Sequence, residues 1–398
     1  MGKHKTQAER EIALRVGARI RQLREIQHIS QIQLATDIGI RAGPLGWIEK
    51  GKHLPSGRVL YRLAKQLNVR IDDLFQEKNV WDDAAVSTAS QAPVILPPLD
   101  AASCSNQESL KAAHIICQTV AEAVLKLEGL AGVSPRLDFS LNAPFTPDTA
   151  GAEQVATHVR QGLGIGNAVL ADYLELLENA GLRIIFLDMP EGCTTFGGYD
   201  PLNRNGFIFI NSALKKQPEL QMAHAIRELG RVFWYVRKQS GAATEAPAVN
   251  GMEVEVLSEA DFARRFTLSF LMPAASIRKA VLQAGVSPKG WTLDLMLRMK
   301  KRYGVCAQCF AMRLQELGLS WSDKQKRSPR AFLFKDELEA YQAEHGATAE
   351  PGGNRPVCAM NGRLGDLLIV AEQKAGKDQK PVNATRRVLR QSGVRLDA

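Results

Sequence analysis

The sequence has 398 residues, of which 45% are apolar and 23% are charged, and its formal net charge is +9. This length allows two or three domains with packed cores. No apolar run approaches membrane-spanning length and the polar N-terminus is unlike a signal peptide, so we expect a cytoplasmic protein with no membrane partner. Six scattered cysteines do not make a disulfide framework.

The positive charge is concentrated at the two ends of the chain. Residues 1–78 contain 15 Lys or Arg and 8 Asp or Glu, whereas residues 374–398 contain 7 and 2. The residues between these ends are slightly acidic. Two basic ends are consistent with a polyanionic partner such as nucleic acid, and equally with two solvated surfaces.

Residues 12–75 are predicted to form five short helices. Ser30 and Ser56 are suitable N-caps for the second and fourth helices, and Gly39 and Gly51 end the second and third. The fifth helix is the short segment RIDDLF. Short helices separated by glycine turns predict a small all-helical domain.

The turn glycines and core positions of this stretch form a specific pattern, made up of Gln31, Leu34, Ala35, Ile38, Gly39, Ile48, Glu49, Gly51, Lys52, Pro55, Ser56, Leu63, Ala64, Leu67, Asp73, Leu74 and Phe75. In this pattern the stretch resembles the Cro-type (XRE) helix-turn-helix family over its full length. The resemblance implies that residues 1–78 bind double-stranded DNA as a homodimer, with the third helix in the major groove. The side chains expected to contact DNA are Gln31, Gln33, Arg41, Trp47, Lys50, Lys52, His53 and Arg58.

The recognition segment departs from that family. Positions that normally carry Gln, Ser, Arg or Asn to base edges hold Ala42, Gly43, Pro44, Gly46 and Trp47. Alanine can touch a thymine methyl, but glycine and proline have no side-chain donor for a base. We therefore interpret the domain as a DNA binder whose specificity comes from DNA shape or partner proteins. The alternative is a helical module kept for dimerisation.

Beyond a linker at 79–108, the chain is predicted to alternate helices with a few strands. An amphipathic helix over 110–130 comes first, and two further helices precede the strand LRIIFLD. TTFGGYD and FIFIN are two more strands, joined by a turn. Helices over 221–236 and 261–272 follow, and two more helices close the domain. The fold class is therefore α+β and mostly helical, with a small β-sheet.

The helix over 221–236 carries a polar stripe that contains His224, Arg227, Glu228 and Arg231. In a zinc peptidase this spacing carries His-Glu-x-x-His, in which two imidazoles bind Zn²⁺ and the glutamate activates a bound water. Here the pattern is Arg-Glu-Leu-Gly-Arg, and a guanidinium has no lone pair to give a metal. The helix therefore has the form of a metallopeptidase helix without its metal ligands.

Several segments between Ala152 and Trp321 carry a second resemblance, namely NAGLRIIFLDMPEG, GFIFINSAL, FLMP and RYGV…RLQELGL. In these segments and their order, the chain resembles the zincin-like ImmA/IrrE-type metallopeptidase domain. The resemblance places a third zinc ligand, a glutamate, where Phe262 stands. All three ligand positions are thus changed while Glu228 persists. We interpret residues 109–321 as a pseudo-metallopeptidase that has no enzymatic activity and needs no cofactor.

Two smaller features are open to alternative interpretations. Arg227 and Arg231 either pair with Glu228 where the metal would lie, or form a pocket for an anion. Cys306-Ala-Gln-Cys309 lies in an expected helix, where both sulfurs are interpreted as core residues rather than half of a zinc site.

The C-terminal extension, 322–398, is less regular. We expect a strand and then a helix over 330–345, a packed element over 362–373, and a basic tail that contacts nucleic acid or is solvated.

Together these features predict a bacterial transcriptional regulator. Its helix-turn-helix domain binds DNA, and its zincin-like domain serves dimerisation, sensing or contact with another regulatory protein. One alternative is an interaction adaptor or anti-repressor without sequence-specific DNA binding. The other is an active metalloprotease with displaced ligands.

Overall fold

The computed structural model describes residues 7–26, 29–67, 74–75, 94, 106–239, 256–321, 332–345 and 361–396. The chain forms two compact units, Met1–Ala92 and Pro93–Ala398. Within the described residues the first unit is helical, and the second combines helices with a three-stranded sheet. The predicted fold class, α+β and mostly helical with a small sheet, is confirmed.

The first unit contains four described helices, which are α1 (Gln7–Ile26), α2 (Gln31–Asp37), α3 (Ala42–Glu49) and α4 (Gly57–Gln66). The predicted fifth helix lies mostly outside the described residues, as does most of the predicted linker. Leucine, isoleucine, valine and alanine side chains from all four helices bury one common core.

Local signals in the sequence explain the turn between α2 and α3. Ser30 caps α2, because its hydroxyl accepts a hydrogen bond from the Gln33 amide at 3.1 Å. Gly39 ends the helix with a φ of +70°, a conformation that a residue without Cβ adopts easily. Gly17 on α1 allows α3 to approach, since a Cβ there would lie 2.1 Å from the Ile48 carbonyl oxygen. The turn between α2 and α3 and the close packing of α3 on α1 are thereby fixed by residues that the sequence shows locally.

The first half of the second unit surrounds the sheet. Its elements are α5 (Gln107–Ala131), α6 (Thr149–Gly162), α7 (Tyr173–Asn179), β1 (Arg183–Leu187), β2 (Thr195–Asp200), β3 (Asn205–Asn211), a 3-10 helix (Ser212–Lys216) and α8 (Pro218–Gln239). The second half is helical and comprises α9 (Glu259–Leu271), α10 (Ala274–Gln283), α11 (Leu293–Tyr303), α12 (Ala307–Glu316), α13 (Lys335–His345), α14 (Gly362–Ala375) and α15 (Lys380–Gln391).

The sheet has the order β1-β3-β2, with β1 parallel and β2 antiparallel to the central β3. All residues of the three strands are buried, because helices cover both faces. Side chains at alternate positions, such as Ile208 and Ile210, enter the core that contains α8. Their neighbours Phe207 and Phe209 enter the core formed with α5, α14 and α15.

Helix α8 lies between β2 and α9, and a glycine permits close contact on each side. A Cβ at Gly197 of β2 would lie 2.8 Å from a methyl of Val232, and a Cβ at Gly230 of α8 would lie 2.8 Å from the Phe266 ring. Real Cβ atoms essentially never come that close to another atom. Both glycines therefore set the distance at which the helix that carries Glu228 packs.

Three elements differ from the sequence-based expectations. Helix α10 was not predicted, and it follows Pro273 directly. Residues 332–334, expected in a strand, instead precede α13 without strand pairing. The basic tail forms α15, whose Val382, Thr385 and Leu389 are buried. Helices α14 and α15 both pack on α5, so the C-terminal segment belongs to the core of the second unit.

The exposed edge of β1 is covered by residues from the C-terminal segment. Asn361 Nδ2 donates to the Phe186 carbonyl oxygen and its Oδ1 accepts from the Phe186 amide, each at 2.8 Å. Val394 forms a bridge with Leu187 beside it. The side-chain amide of Asn361 therefore satisfies the backbone hydrogen bonds of Phe186 at the edge of β1, as a fourth strand would. None of the helices in the described ranges is long and apolar enough to cross a membrane.

We predict that Asn361→Ala lowers the free energy of unfolding by about 2–4 kcal/mol, because it leaves the buried Phe186 amide and carbonyl without their partners. Denaturant unfolding measures this loss. Asn361→Asp keeps the acceptor but not the donor, so it should also destabilise the protein. Asn383→Ala, at an exposed position of α15, is the control and should change stability by less than about 0.5 kcal/mol. If Asn361→Ala also changes stability by less than about 0.5 kcal/mol, solvent or another group must form hydrogen bonds with the Phe186 amide and carbonyl.

Candidate functional site

The first unit presents most of the predicted DNA-contacting side chains on its surface. Gln33, Arg41, Trp47, Lys50, Lys52, His53 and Arg58 are exposed, and Gln31 is half-buried. Trp47 is 51% exposed and packs edge-on against His53, with ring centroids 6.0 Å apart. The assignment of these side chains to DNA contacts stays a prediction.

A charged network beneath the start of α2 holds Gln31 in place. Glu49 of α3 is buried and accepts from Arg24 of α1, with Arg24 Nε and Glu49 Oε1 2.7 Å apart. Gln31 Nε2 donates to the other Glu49 oxygen at 2.8 Å. The side chain of Gln31 thus links α2 to α3, which sequence spacing alone did not reveal. The Arg24–Glu49 pair fixes the relative orientation of α1 and α3.

The exposed surface of α3 contains few hydrogen-bonding side chains. Gly43 and Pro44 are exposed, and open space surrounds the position of a Cβ at Gly43. Gly46 faces the Gln31 amide, since a Cβ there would lie 3.4 Å from it. The cations of the domain flank this helix instead, with Arg41 at its N-cap and Lys50 at its C-cap. This arrangement suits contact with phosphates better than discrimination among bases.

In the second unit, the carboxylate of Glu228 lies in the interior between α8 and β2. Glu228 is 1% exposed, and its Oε2 accepts from the Gly197 amide at 3.1 Å. Arg231, one turn along α8, lies 3.5 Å from the same oxygen. Arg231 is bound more closely to Glu259 of α9, with Nε and Oε1 2.9 Å apart. We call Glu228, Arg231 and Glu259 the arginine–carboxylate cluster.

Burial dominates the electrostatics of this cluster. Burial raises the pKa of the Glu228 carboxyl, while the charges of Arg231 and Arg227 and the Gly197 hydrogen bond oppose the shift. The 3.5 Å contact with Arg231 is too long to reverse the effect of burial. The charge compensation of Glu228 therefore comes mainly from Arg231, with a smaller contribution from Arg227.

Arg227 and His224 form a second pair on the same helix. Burial and the charge of Arg227 together lower the pKa of His224 to about 4. The ring is therefore neutral at neutral pH, and its Nδ1 can accept from Arg227 Nη2 at 3.4 Å. Unlike Arg231, Arg227 is only half-buried. The two arginines that the sequence analysis treated alike thus have different environments.

Phe262, the residue at the expected third ligand position, is completely buried in an aromatic cluster. Its ring stacks on Phe145 with centroids 4.6 Å apart, and Trp234 lies 5.2 Å away. Zinc binds nitrogen, sulfur and oxygen donors, and neither a guanidinium nor a phenyl ring supplies one. Arg227, Arg231 and Phe262 therefore do not fit a zinc ion. Nor do the described residues contain a group of three or more His, Cys, Asp or Glu side chains that could hold a metal.

Comparison with known proteins agrees with the fold of the first unit. A family model described as "Helix-turn-helix domain" matches residues 17–80. Two uncharacterized HTH-type transcriptional regulators of Archaeoglobus fulgidus are 38% and 33% identical to this chain over 65 and 66 residues. Each match covers 93% of the relative and 16% of this chain. The chain therefore belongs to the family of HTH-type transcriptional regulators, through its first unit. It is a DNA-binding transcriptional regulator.

Two solved structures align over much of the chain but with low scores. One is Bacillus thuringiensis PlcR in complex with the peptide PapR7 and DNA, at 13% identity and a TM-score of 0.18, covering 85% of this chain and all of that one. The other is the apo form of the competence regulator ComR from Streptococcus vestibularis, at 12% identity and a TM-score of 0.16, covering 96% of this chain and all of that one. Scores this low carry no weight for the fold or the function of the second unit.

The different environments of the two arginines generate a prediction. Arg231→Ala should lower the free energy of unfolding by about 3–5 kcal/mol at neutral pH, because it removes the main counter-charge of the buried Glu228 carboxylate. The folded-state pKa of Glu228 is already raised, so ionisation of this group lowers stability as pH rises. Loss of Arg231 raises that pKa further. The penalty should therefore be smaller at about pH 5 than at about pH 7.

Urea unfolding at both pH values measures the effect. Arg227→Ala is the matched control, and it should cost less than about 1 kcal/mol because Arg227 is half-exposed. Glu228→Gln combined with Arg231→Ala should recover part of the loss at neutral pH, since the neutral amide needs no counter-charge. Equal losses for both arginine variants, or a penalty that does not change with pH, would contradict this account of the cluster.

Proposed function

We propose that the second unit is a zincin-like domain without peptidase activity, and that it gives the regulator a module for dimerisation, sensing or partner binding. The observation that carries this proposal is the position of Arg231. It stands where the peptidase pattern has a histidine, and its guanidinium lies between Glu228 of α8 and Glu259 of α9. A positively charged side chain thereby stands at a sequence position where the peptidase pattern has a metal ligand.

The packing around α8 supports the zincin-like assignment. This helix places Glu228 against β2, next to a mixed sheet, and α9 packs on its other side. The Glu-Leu-Gly segment remains because each residue has a structural role. Glu228 accepts from β2, Leu229 is fully buried, and Gly230 admits Phe266. A domain that has lost its ligands can therefore keep these residues for stability alone.

Peptidase chemistry would need Glu228 to activate a water. In this structure its carboxylate instead accepts from Gly197, is almost inaccessible to solvent, and has a raised pKa because of burial. A buried carboxyl that binds its proton more tightly and already has protein partners is suited to a structural role. We therefore assign it to packing between α8 and β2.

For the first unit, we propose that affinity for DNA comes mainly from its exposed cations rather than from base readout by α3. The second candidate function, an interaction adaptor without sequence-specific DNA binding, is favoured by the same surface of Ala42, Gly43, Pro44 and Gly46. The two candidates differ in whether the full chain binds promoter DNA more tightly than random DNA.

We also propose that the regulator is a homodimer.

We predict that Lys52→Ala weakens binding of the full chain to promoter DNA and to random DNA by a similar factor. It should also reduce the slope of log K against log salt by about 1, because a phosphate contact releases counterions without reading sequence. Fluorescence anisotropy over a salt series measures both quantities. Arg278→Ala, at an exposed position of α10 in the second unit, removes the same charge and should leave both unchanged. An unchanged slope in Lys52→Ala would show that the DNA-binding face lies elsewhere.

The absence of a third ligand gives a second prediction. The double variant Arg227→His, Arg231→His restores two imidazoles one turn apart, but Phe262 still supplies no donor. We therefore expect no stoichiometric zinc binding in calorimetry and no cleavage of a partner protein. The unfolding of the variant should be followed in parallel, to establish that it is folded. Tight zinc binding by the folded variant would reveal another residue as third ligand and refute the placement of Phe262.

A further inference from the structure

The Cys306-Ala-Gln-Cys309 motif lies at the start of α12, with Cys309 in its first turn as the sequence predicted and Cys306 just before the helix. Cys306 is the N-cap of α12, with extended backbone angles of −67° and 156°. Its sulfur accepts a hydrogen bond from the Cys309 amide at 3.3 Å. Both cysteines are half-exposed, although Cys309 also packs against the core. The motif is therefore an accessible pair of thiols at the start of a helix.

The pair differs from the other described cysteines. Cys117 and Cys193 are buried, and Cys117 is fully inaccessible. Burial raises the pKa of the Cys117 thiol well above its usual range, and the nearby Cys193 and Glu228 add to the shift. Since the thiolate is the reactive form, Cys117 is inert toward oxidants. Among the described cysteines, only Cys306 and Cys309 are thus accessible to an oxidant in solution.

The position of Cys306 favours negative charge on its sulfur. The first turn of α12, next to which Cys306 lies, is the positive end of the helix dipole. The amide of Cys309 donates directly to the sulfur. These conditions activate a cysteine nucleophile in Cys-x-x-Cys dithiols generally.

The backbone geometry also permits a disulfide between the two residues. Ala307 and Gln308, the residues between them, are helical. Helical geometry then separates the two Cα atoms by about 5 Å, within the range of about 4.4–6.8 Å that disulfides span. The N-cap sulfur already points toward the Cys309 backbone. Closure therefore needs a change in side-chain rotamers and no rearrangement of helices.

We propose that Cys306 and Cys309 form a redox-active dithiol, which a peroxide oxidises to an intramolecular disulfide. The Cys306 thiolate attacks one peroxide oxygen, the O–O bond breaks, and a sulfenic acid forms with release of hydroxide. The Cys309 thiol then attacks that sulfur, the S–O bond breaks, and water leaves as the S–S bond forms. The two cysteines lose two electrons, and the peroxide gains them. This inference is independent of the function proposed for the second unit.

The full chain provides a direct test, because trypsin releases both cysteines on one peptide, 303–313, without Cys117 or Cys193. The folded protein is exposed to hydrogen peroxide, remaining thiols are blocked with iodoacetamide, and the digest is analysed by mass spectrometry. We expect this peptide to carry no alkyl group and to be about 2 Da lighter than its reduced form, because two hydrogens are lost. Dithiothreitol should restore both alkylation sites.

Two single variants separate a redox pair from two independent thiols. Cys306→Ser keeps a side chain that caps α12, so the protein should fold, and oxidation of Cys309 should slow by about tenfold or more. Cys309→Ser should leave Cys306 reactive but trapped as a sulfenic acid, which dimedone labels. Circular dichroism establishes that both variants are folded. The proposal fails if wild-type protein forms no disulfide in this peptide, or if Cys309 oxidises at the same rate without Cys306.

Discussion

The burial of the Glu228 carboxylate is the constraint on which the second unit depends most. A carboxylate removed from water is unfavourable unless hydrogen bonds or opposite charges compensate it. Here the Gly197 amide and, more distantly, the Thr195 hydroxyl donate hydrogen bonds, and Arg231 supplies most of the opposite charge. Because Arg231 also binds Glu259, the same guanidinium connects α8 to α9. Glu228 and Arg231 together thus tie β2, α8 and α9 to one another.

The rest of the second unit holds this arrangement in place from both sides of the sheet. On one side, α8 and α9 pack closely through Gly197 and Gly230. On the other, α5 is covered by α14 and α15, which come from the last residues of the chain. Asn361 completes the edge of β1. The basic C-terminal segment is therefore a structural part of the unit, and its charges lie on a helix whose apolar face is buried.

Local patterns in the sequence predicted much of this fold. The Ser30 cap and Gly39 marked the turn between α2 and α3, and short segments rich in β-branched and aromatic residues marked the three strands, because such signals act within a few residues. Contacts between distant residues had no such signal. Asn361 and Phe186 are 175 positions apart, and the link from Gln31 to Glu49 depends on how α2 meets α3. The spacing of Arg227 and Arg231 suggested equal roles, and only the packing of α9 distinguishes them.

The most direct test of the central claim is to compare the purified full chain before and after exhaustive treatment with a zinc chelator, by its affinity for promoter DNA and its unfolding midpoint. If Arg231 and the two carboxylates hold the second unit together, both quantities should be the same in the two samples, and added zinc should change neither. A loss of DNA affinity or of stability on chelation, restored by stoichiometric zinc, would contradict the account. It would show that the second unit retains a functional metal site.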